Sequence, residues 1–161
     1  MRRADRCVTD VDRLKQILSV CKVCRIAMVD NGKPYVIPLS FGYVWEENNP
    51  TFYFHCASEG RKIDILKMNA DICFEVDFMR NVIGDMTADN ACSFSVEYAS
   101  IVANGKAIIV TEPEERLRAL SEILFHQTGR LDWGFNDDSL SKTVVVRIDV
   151  TTLTGKTNYV D

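Results

Sequence analysis

RIAMVDNGKPYVIPLSFGYV, residues 25–44, reads as two apolar runs joined by a tight turn. Asn31-Gly32 supplies the pair of residues that tolerates positive φ in a two-residue hairpin loop, so Arg25–Val29 and Lys33–Val44 are expected to pair antiparallel. Pro34 and Pro38 interrupt the second run. Each removes an N–H from the ladder, which requires an edge, a bulge or an opening near Pro38.

Upstream of the hairpin, Thr9 and Asp12 resemble a capping box, and Val11, Leu14, Ile17, Leu18 and Cys21 share one helical face, which predicts a helix over Asp10–Val20. Downstream, Glu46–Pro50 reads as a polar turn and Thr51–Cys56 as a strand. A helix follows with Ser58 as its N-cap and its end near Asn69, and Asp71–Phe78 is again a strand. Arg80–Asn90 reads as a loop. Ser93–Val102 and Lys106–Val110 are strand-like, and Asn104-Gly105 between them fits either a hairpin turn or a bulge in one long bent strand. Thr111, Pro113 and Glu114 start a helix whose stripe is Leu117, Leu120, Ile123 and Leu124 and which Gly129 ends. Leu131–Lys142 is polar and irregular, Thr143–Val150 is the last strand, and Thr154-Gly155-Lys156 falls in the tail. About six or seven strands, several joined by hairpins, with few helices point to a mainly β, antiparallel barrel with peripheral helices. Regular strand–helix alternation, GxGxxG and Walker patterns do not occur, which disfavours a parallel nucleotide-binding sheet.

The 161 residues are expected to form a single domain, residues 1–161, with a core that needs no staples. A net charge of −4 argues against a nucleic-acid partner, and no apolar run is long enough to span a membrane. The N-terminus has basic residues but no apolar signal region, so a cytoplasmic setting with reduced thiols is expected for the six cysteines. Cys21-Lys22-Val23-Cys24 lies between a helix and a strand, the reverse of the usual redox order. It also lacks a second ligand pair, so no metal is expected.

FYFHCASEGRK, residues 52–62, concentrates the candidate chemistry. A strand ends at Cys56 and a helix begins after Ser58, so unpaired backbone N–H groups, Gly60, Arg61 and Lys62 gather at one helix N-terminus, an arrangement that suits a phosphate. His55, at the strand end, is placed for acid/base or ligand-orienting work. Cys56 is its neighbour but faces the opposite way, so the two cannot form a nucleophile–base pair. His126 lies at a helix C-terminus, where the dipole favours a protonated imidazole. The proline-broken edge around Ile37, Pro38, Leu39 and Ser40 exposes backbone groups able to read the heteroatom rim of a planar cofactor.

Taken together, PYVIPLSFGY (34–43), FYFHCASEGRKIDIL (52–66), YASIVANGKAIIV (98–110) and ILFHQTG (123–129) resemble the FMN-binding split-barrel superfamily of pyridoxamine 5′-phosphate oxidases, and within it the nitroimidazole-resistance flavoproteins. The resemblance runs from about Arg2 to Lys156. It implies a six-stranded antiparallel Greek-key split barrel that forms a homodimer with FMN, or FAD, at the subunit interface. It implies that Ile37, Pro38, Leu39 and Ser40 line the flavin edge and that His55, Cys56 and Ala57 continue that wall. Gly60, Arg61 and Lys62 would hold the phosphate, Ser100 would lie near the flavin, and Phe125 and His126 would approach from the second subunit. His55 would be the catalytic residue of an oxidoreductase acting on a small electron-poor, nitroaromatic-like substrate. The alternatives are a non-catalytic flavin- or haem-binding protein and an enzyme related to pyridoxamine 5′-phosphate oxidase. The arginine- and tryptophan-rich C-terminus of those oxidases has no counterpart in RIDVTTLTGKTNYVD, residues 147–161.

Overall fold

The computed structural model describes residues 3–46, 49–87 and 89–159. In chain order the elements are β1 (Cys7–Val8), α1 (Val11–Val20), β2 (Val23–Asp30), β3 (Lys33–Glu46), β4 (Asn49–Ala57), α2 (Arg61–Met68), β5 (Asp71–Ile83), β6 (Ser95–Ile109), α3 (Pro113–Thr128), α4 (Asp137–Ser141) and β7 (Thr143–Thr157). Strands follow one another around the sheet as β7-β4-β3-β2-β5-β6, and β6 pairs back onto β7, so six antiparallel strands close a barrel. The two-residue β1 is added to β7. β2, β3 and β4 form a meander and β5 returns beside β2, which is the Greek-key order.

The hairpin over residues 25–44 forms as its sequence requires, with Asn31 and Gly32 both at positive φ. At Asn104-Gly105 the bent-strand alternative holds: β6 runs on unbroken. The register against β7 jumps from Asn104–Thr152 to Gly105–Val150, which makes Thr151 the extra residue. The Thr151 hydroxyl donates to the Asn104 carbonyl at 3.0 Å.

Several boundaries differ from the sequence expectation. β5 extends into the expected loop as far as Ile83, through a register shift between Met79 and Val82, because pairing with β6 outlasts the apolar alternation. β7 extends through Thr154-Gly155-Lys156, because β1 and β6 pair with it there. Within the expected irregular stretch, the Asn136 side chain accepts from the amides of Asp138 and Ser139 and starts α4. Asp10, not Thr9, caps α1, accepting from the Arg13 amide at 2.8 Å. Residues 47–48, in the expected Glu46–Pro50 turn, and residue 88, in the expected loop, lie outside the described residues.

The barrel is filled by fully buried rings. Phe52 and Phe74 stack at 3.9 Å between centroids, and Phe41 meets Phe74 edge-on at 5.2 Å. Leu14, Ile17 and Leu18 of α1 join this cluster. A second, smaller core lies under α3, where Ala119, Leu120 and Ile123 pack on Tyr53, Val110 and Val145. No helix among the described residues is long and apolar enough to cross a membrane.

Gly42 sets how closely α3 can sit on the barrel. A Cβ there would lie 2.5 Å from the backbone nitrogen of Ile123, and a helix backbone cannot yield locally. Gly42→Ala should therefore lower stability by roughly 1–3 kcal/mol, the usual cost of overpacking. Urea denaturation followed by circular dichroism would measure it, and an unchanged midpoint would contradict this packing.

Candidate functional site

β3 and β4 stay paired from Glu46–Asn49 as far as Phe41–Phe54 and then separate. From there Lys33–Ser40 pairs only with β2, and His55–Ala57 pairs only with β7. Each segment consequently has one backbone edge without a strand partner, and the two edges flank a cleft. Both prolines fall in the half of β3 that pairs with β2, and the half that pairs with β4, Phe41–Glu46, has none. At the apex the Gln127 amide donates to the Phe41 carbonyl at 3.0 Å and to the Lys22 carbonyl at 3.0 Å.

Ile37 and Leu39 are half-buried against the barrel core, and Pro38 and Ser40 are exposed on the other face. On β4 the alternation puts Cys56 toward the barrel and leaves His55 exposed on the opposite face. Opposite facing is what strand geometry dictates for neighbours, so the two side chains act independently. Ala57 is exposed at the strand end.

α2 begins just past β4. Its N-cap is Gly60 rather than Ser58: φ is +120° and no side chain caps the helix. Gly60 is chosen by conformation, since a side chain at that φ would be strained. A Cβ there would meet nothing within 4 Å, so the backbone is open to close approach. The Gly60 carbonyl accepts from the Ile63 and Asp64 amides, and the Arg61 and Lys62 amides precede any intrahelical acceptor.

The two basic residues play different parts. Arg61 Nε donates to Asp30 at 2.8 Å, and its guanidinium carbon lies 4.4 Å above the Tyr35 ring. Arg61 therefore fastens the start of α2 to the β2–β3 hairpin. Lys62 has no ion pair or hydrogen bond among the described residues. Its positive charge partly offsets the burial that pushes the Cys56 thiol up. Ile37–Ser40 and His55–Ala57 thus carry the two unpaired edges where β3 and β4 part, Arg61 ties the start of α2 to the hairpin bearing the first of them, and Lys62 is a cation there without a protein partner among the described residues.

Ser100, expected near the flavin, and Phe125 and His126, expected to approach from a second subunit, do not lie on these two edges within the chain itself. Ser100 sits on β6 between Asp77 and Lys156, and two strands, β2 and β5, separate its strand from β3. Phe125 is exposed on α3. His126 is buried, not presented on a surface, with its ring 4.5 Å from that of Phe41 and Nε2 2.7 Å from the Cys21 carbonyl. Its pKa is lowered by burial, against the opposing hydrogen bond to Cys21 and with the nearby Lys22 charge acting the same way as burial. The imidazole is accordingly neutral with Nε2–H donating to Cys21, not protonated as the helix dipole alone suggested. Burial also lowers the His55 pKa. In the CxxC, burial pushes the Cys21 and Cys24 thiols up to about 11 and about 12, so both are inert at neutral pH. Asp30, Tyr35 and Gln127, which hold the cleft's ends, carry no sequence signal beyond lying next to the hairpin turn and the helix C-terminus.

The sequence profile of the pyridoxamine 5′-phosphate oxidase family matches residues 10–157. The structure is similar to that of a candidate 5-nitroimidazole antibiotic resistance protein from Bacteroides thetaiotaomicron, with TM-score 0.79 and 28% identity, covering 94% of this chain and 86% of that one. It is similar in fold to the flavocytochrome Anf3 from Azotobacter vinelandii (TM-score 0.79, 20% identity, 99% and 72% covered). It is also similar in fold to the FAD and heme binding protein from Mycobacterium smegmatis (TM-score 0.79, 18% identity, 96% and 74% covered). No curated protein matches the chain.

The two lowered histidines give stability a pH dependence of definite sign. In the unfolded chain each imidazole takes up a proton near its ordinary pKa of about 6.5. The fold resists that proton, so this contribution is complete above about pH 6.5 and is lost as pH falls below it. The urea midpoint should drop between pH 7.5 and pH 5.5, and His126→Gln should remove part of that drop. An identical drop in the variant would show that His126 is not held neutral.

Proposed function

The chain belongs to the pyridoxamine 5′-phosphate oxidase family, and on that premise we propose that it is an FMN-binding oxidoreductase, acting as a homodimer on a small electron-poor substrate. The observation that supports this most is the separation of β3 from β4 beside the start of α2. It offers two unpaired backbone edges for a planar, polar-rimmed ring and an open helix N-terminus with a spare lysine for a phosphate. A cleft of this kind fits FMN and also admits FAD.

The bound flavin would supply the electron transfer, taking electrons from a reduced nicotinamide or a similar donor. The chain's own residues bind and orient. The edge of Ile37–Ser40 would read the ring heteroatoms, and His55–Ala57 would form the facing wall. Lys62 and the free amides at the start of α2 would hold the phosphate, with Arg61 keeping that helix end in place against Asp30 and Tyr35. His55, neutral at pH 7, would orient the substrate through a ring N–H or nitrogen rather than as an imidazolium. Ser100 and Phe125, outside the cleft, are available to complete the site of a second copy. The 28% identity to the candidate 5-nitroimidazole resistance protein supports a nitro compound as the electron acceptor.

The purified protein should be yellow with a flavin spectrum. Lys62→Ala should weaken FMN binding about tenfold, as loss of one charge-assisted contact does. Arg61→Ala combined with Lys62→Ala should abolish retention on a desalting column. A double variant that binds FMN as tightly as wild type would overturn the phosphate assignment. A yellow protein whose reduced flavin no nitro compound reoxidises would be a flavin carrier.

A further inference from the structure

The face of His55 turned away from the barrel meets a cavity of about 160 Å³ between β4, α3 and α4. We propose that this cavity is the substrate subsite and that it takes an uncharged, single-ring molecule carrying one hydrogen-bonding group. The proposal rests on the flavin reading of the adjoining cleft, since His55 borders both.

Three observations carry it. First, the volume is that of one small ring: an apolar cavity of about 150 Å³ holds a benzene. Second, the walls are chiefly apolar, built by Leu120, Ile123 and Leu124 of α3 with Phe135 and Leu140 opposite, and no charged side chain lines them. An anionic or phosphorylated substrate would find no counter-charge there. Third, most polar groups of the lining are already engaged. The Asn136 side-chain oxygen accepts from the Asp138 and Ser139 amides, and the Thr143 hydroxyl donates to the Ser139 carbonyl at 2.9 Å. The His55 imidazole has no hydrogen-bond partner among the described residues, and burial alone lowers its pKa. Exposed at the rim of the cavity, it is free to exchange water for the polar group of a molecule that enters.

The α4 side of the cavity is fixed in place, because the Arg116 guanidinium on α3 donates to the Leu140 carbonyl at 2.7 Å and the Thr143 carbonyl at 2.8 Å. Phe135 and Leu140 thereby set the upper size limit. Arg116 is a positioning residue for that wall.

The experiment uses the full chain loaded with FMN, with nitrobenzene, 1-nitronaphthalene and 4-nitrobenzoate as probes, and follows the His55 ring resonances by NMR. Nitrobenzene should shift them saturably, whereas 4-nitrobenzoate should not. Ser139→Phe, a change at an exposed rim position that fills the cavity, should abolish the nitrobenzene shift with the circular dichroism spectrum unchanged. Leu140→Ala should improve 1-nitronaphthalene affinity roughly tenfold, on the scale of pocket discrimination by size. No nitrobenzene shift, or an equal shift in Ser139→Phe, would overturn the proposal even if FMN binds. If FMN does not bind, the flavin reading falls, and with it the subsite role. The same probes on the flavin-free chain then report on the cavity's ligand class by itself.

Discussion

The site depends on where β3 stops pairing with β4. Phe41 is the last residue of β3 in that ladder, and it is held from every side. Its ring packs on Phe52, Phe74 and His126, and its carbonyl accepts from Gln127. One residue along, Gly42 lies under the backbone of Ile123. Beyond this anchor Pro38 and Pro34 cannot supply ladder N–H groups, so continuing the pairing would gain little. The barrel remains closed elsewhere because β6 and β7 pair along most of their length. An opening thus exists at one place without weakening the closure of the whole.

The same division explains the two histidines and the two basic residues. His126 is used up in the core, bonded to Cys21 with Lys22 nearby, and its neutrality helps keep α3 against Phe41. His55 has no such partner and faces a cavity. Arg61 is spent on Asp30 and Tyr35, so that Lys62 and the helix amides stand at a fixed position. In each pair one residue is bound into the frame and the other has no hydrogen-bond or ion-pair partner among the described residues.

Much of this was legible in residues 25–62. Asn31-Gly32 announced the hairpin, the prolines announced an opening, and FYFHCASEGRK announced a helix N-terminus next to a strand end. Local sequence could not say which of Arg61 and Lys62 is free, because Asp30 and Tyr35 reach Arg61 only through the tertiary fold. Nor could it predict the charge of His126: the dipole argument is local, whereas burial comes from Phe41 and Tyr43 on another element. The extra residue opposite Asn104-Gly105 lies on β7, where Thr151 carries no bulge signal of its own. Strand ends at Ile83 and Thr157 were set by partner strands rather than by alternation.

What the cleft offers chemically follows from these assignments. Burial raises the Cys56 thiol, so it is a poor nucleophile at neutral pH, and it lowers His55, so that ring stands as a neutral imidazole with one donor and one acceptor nitrogen. Ser40 and the two prolines of the β3 edge do not titrate. The protein side therefore provides shape, unpaired backbone donors and acceptors, one cation and a neutral hydrogen-bonding ring. Such a set can grip a planar anionic molecule and align a second, uncharged one beside it. A flavin held against such a set would supply the electron transfer, and the part left to the chain is to grip, orient and shield.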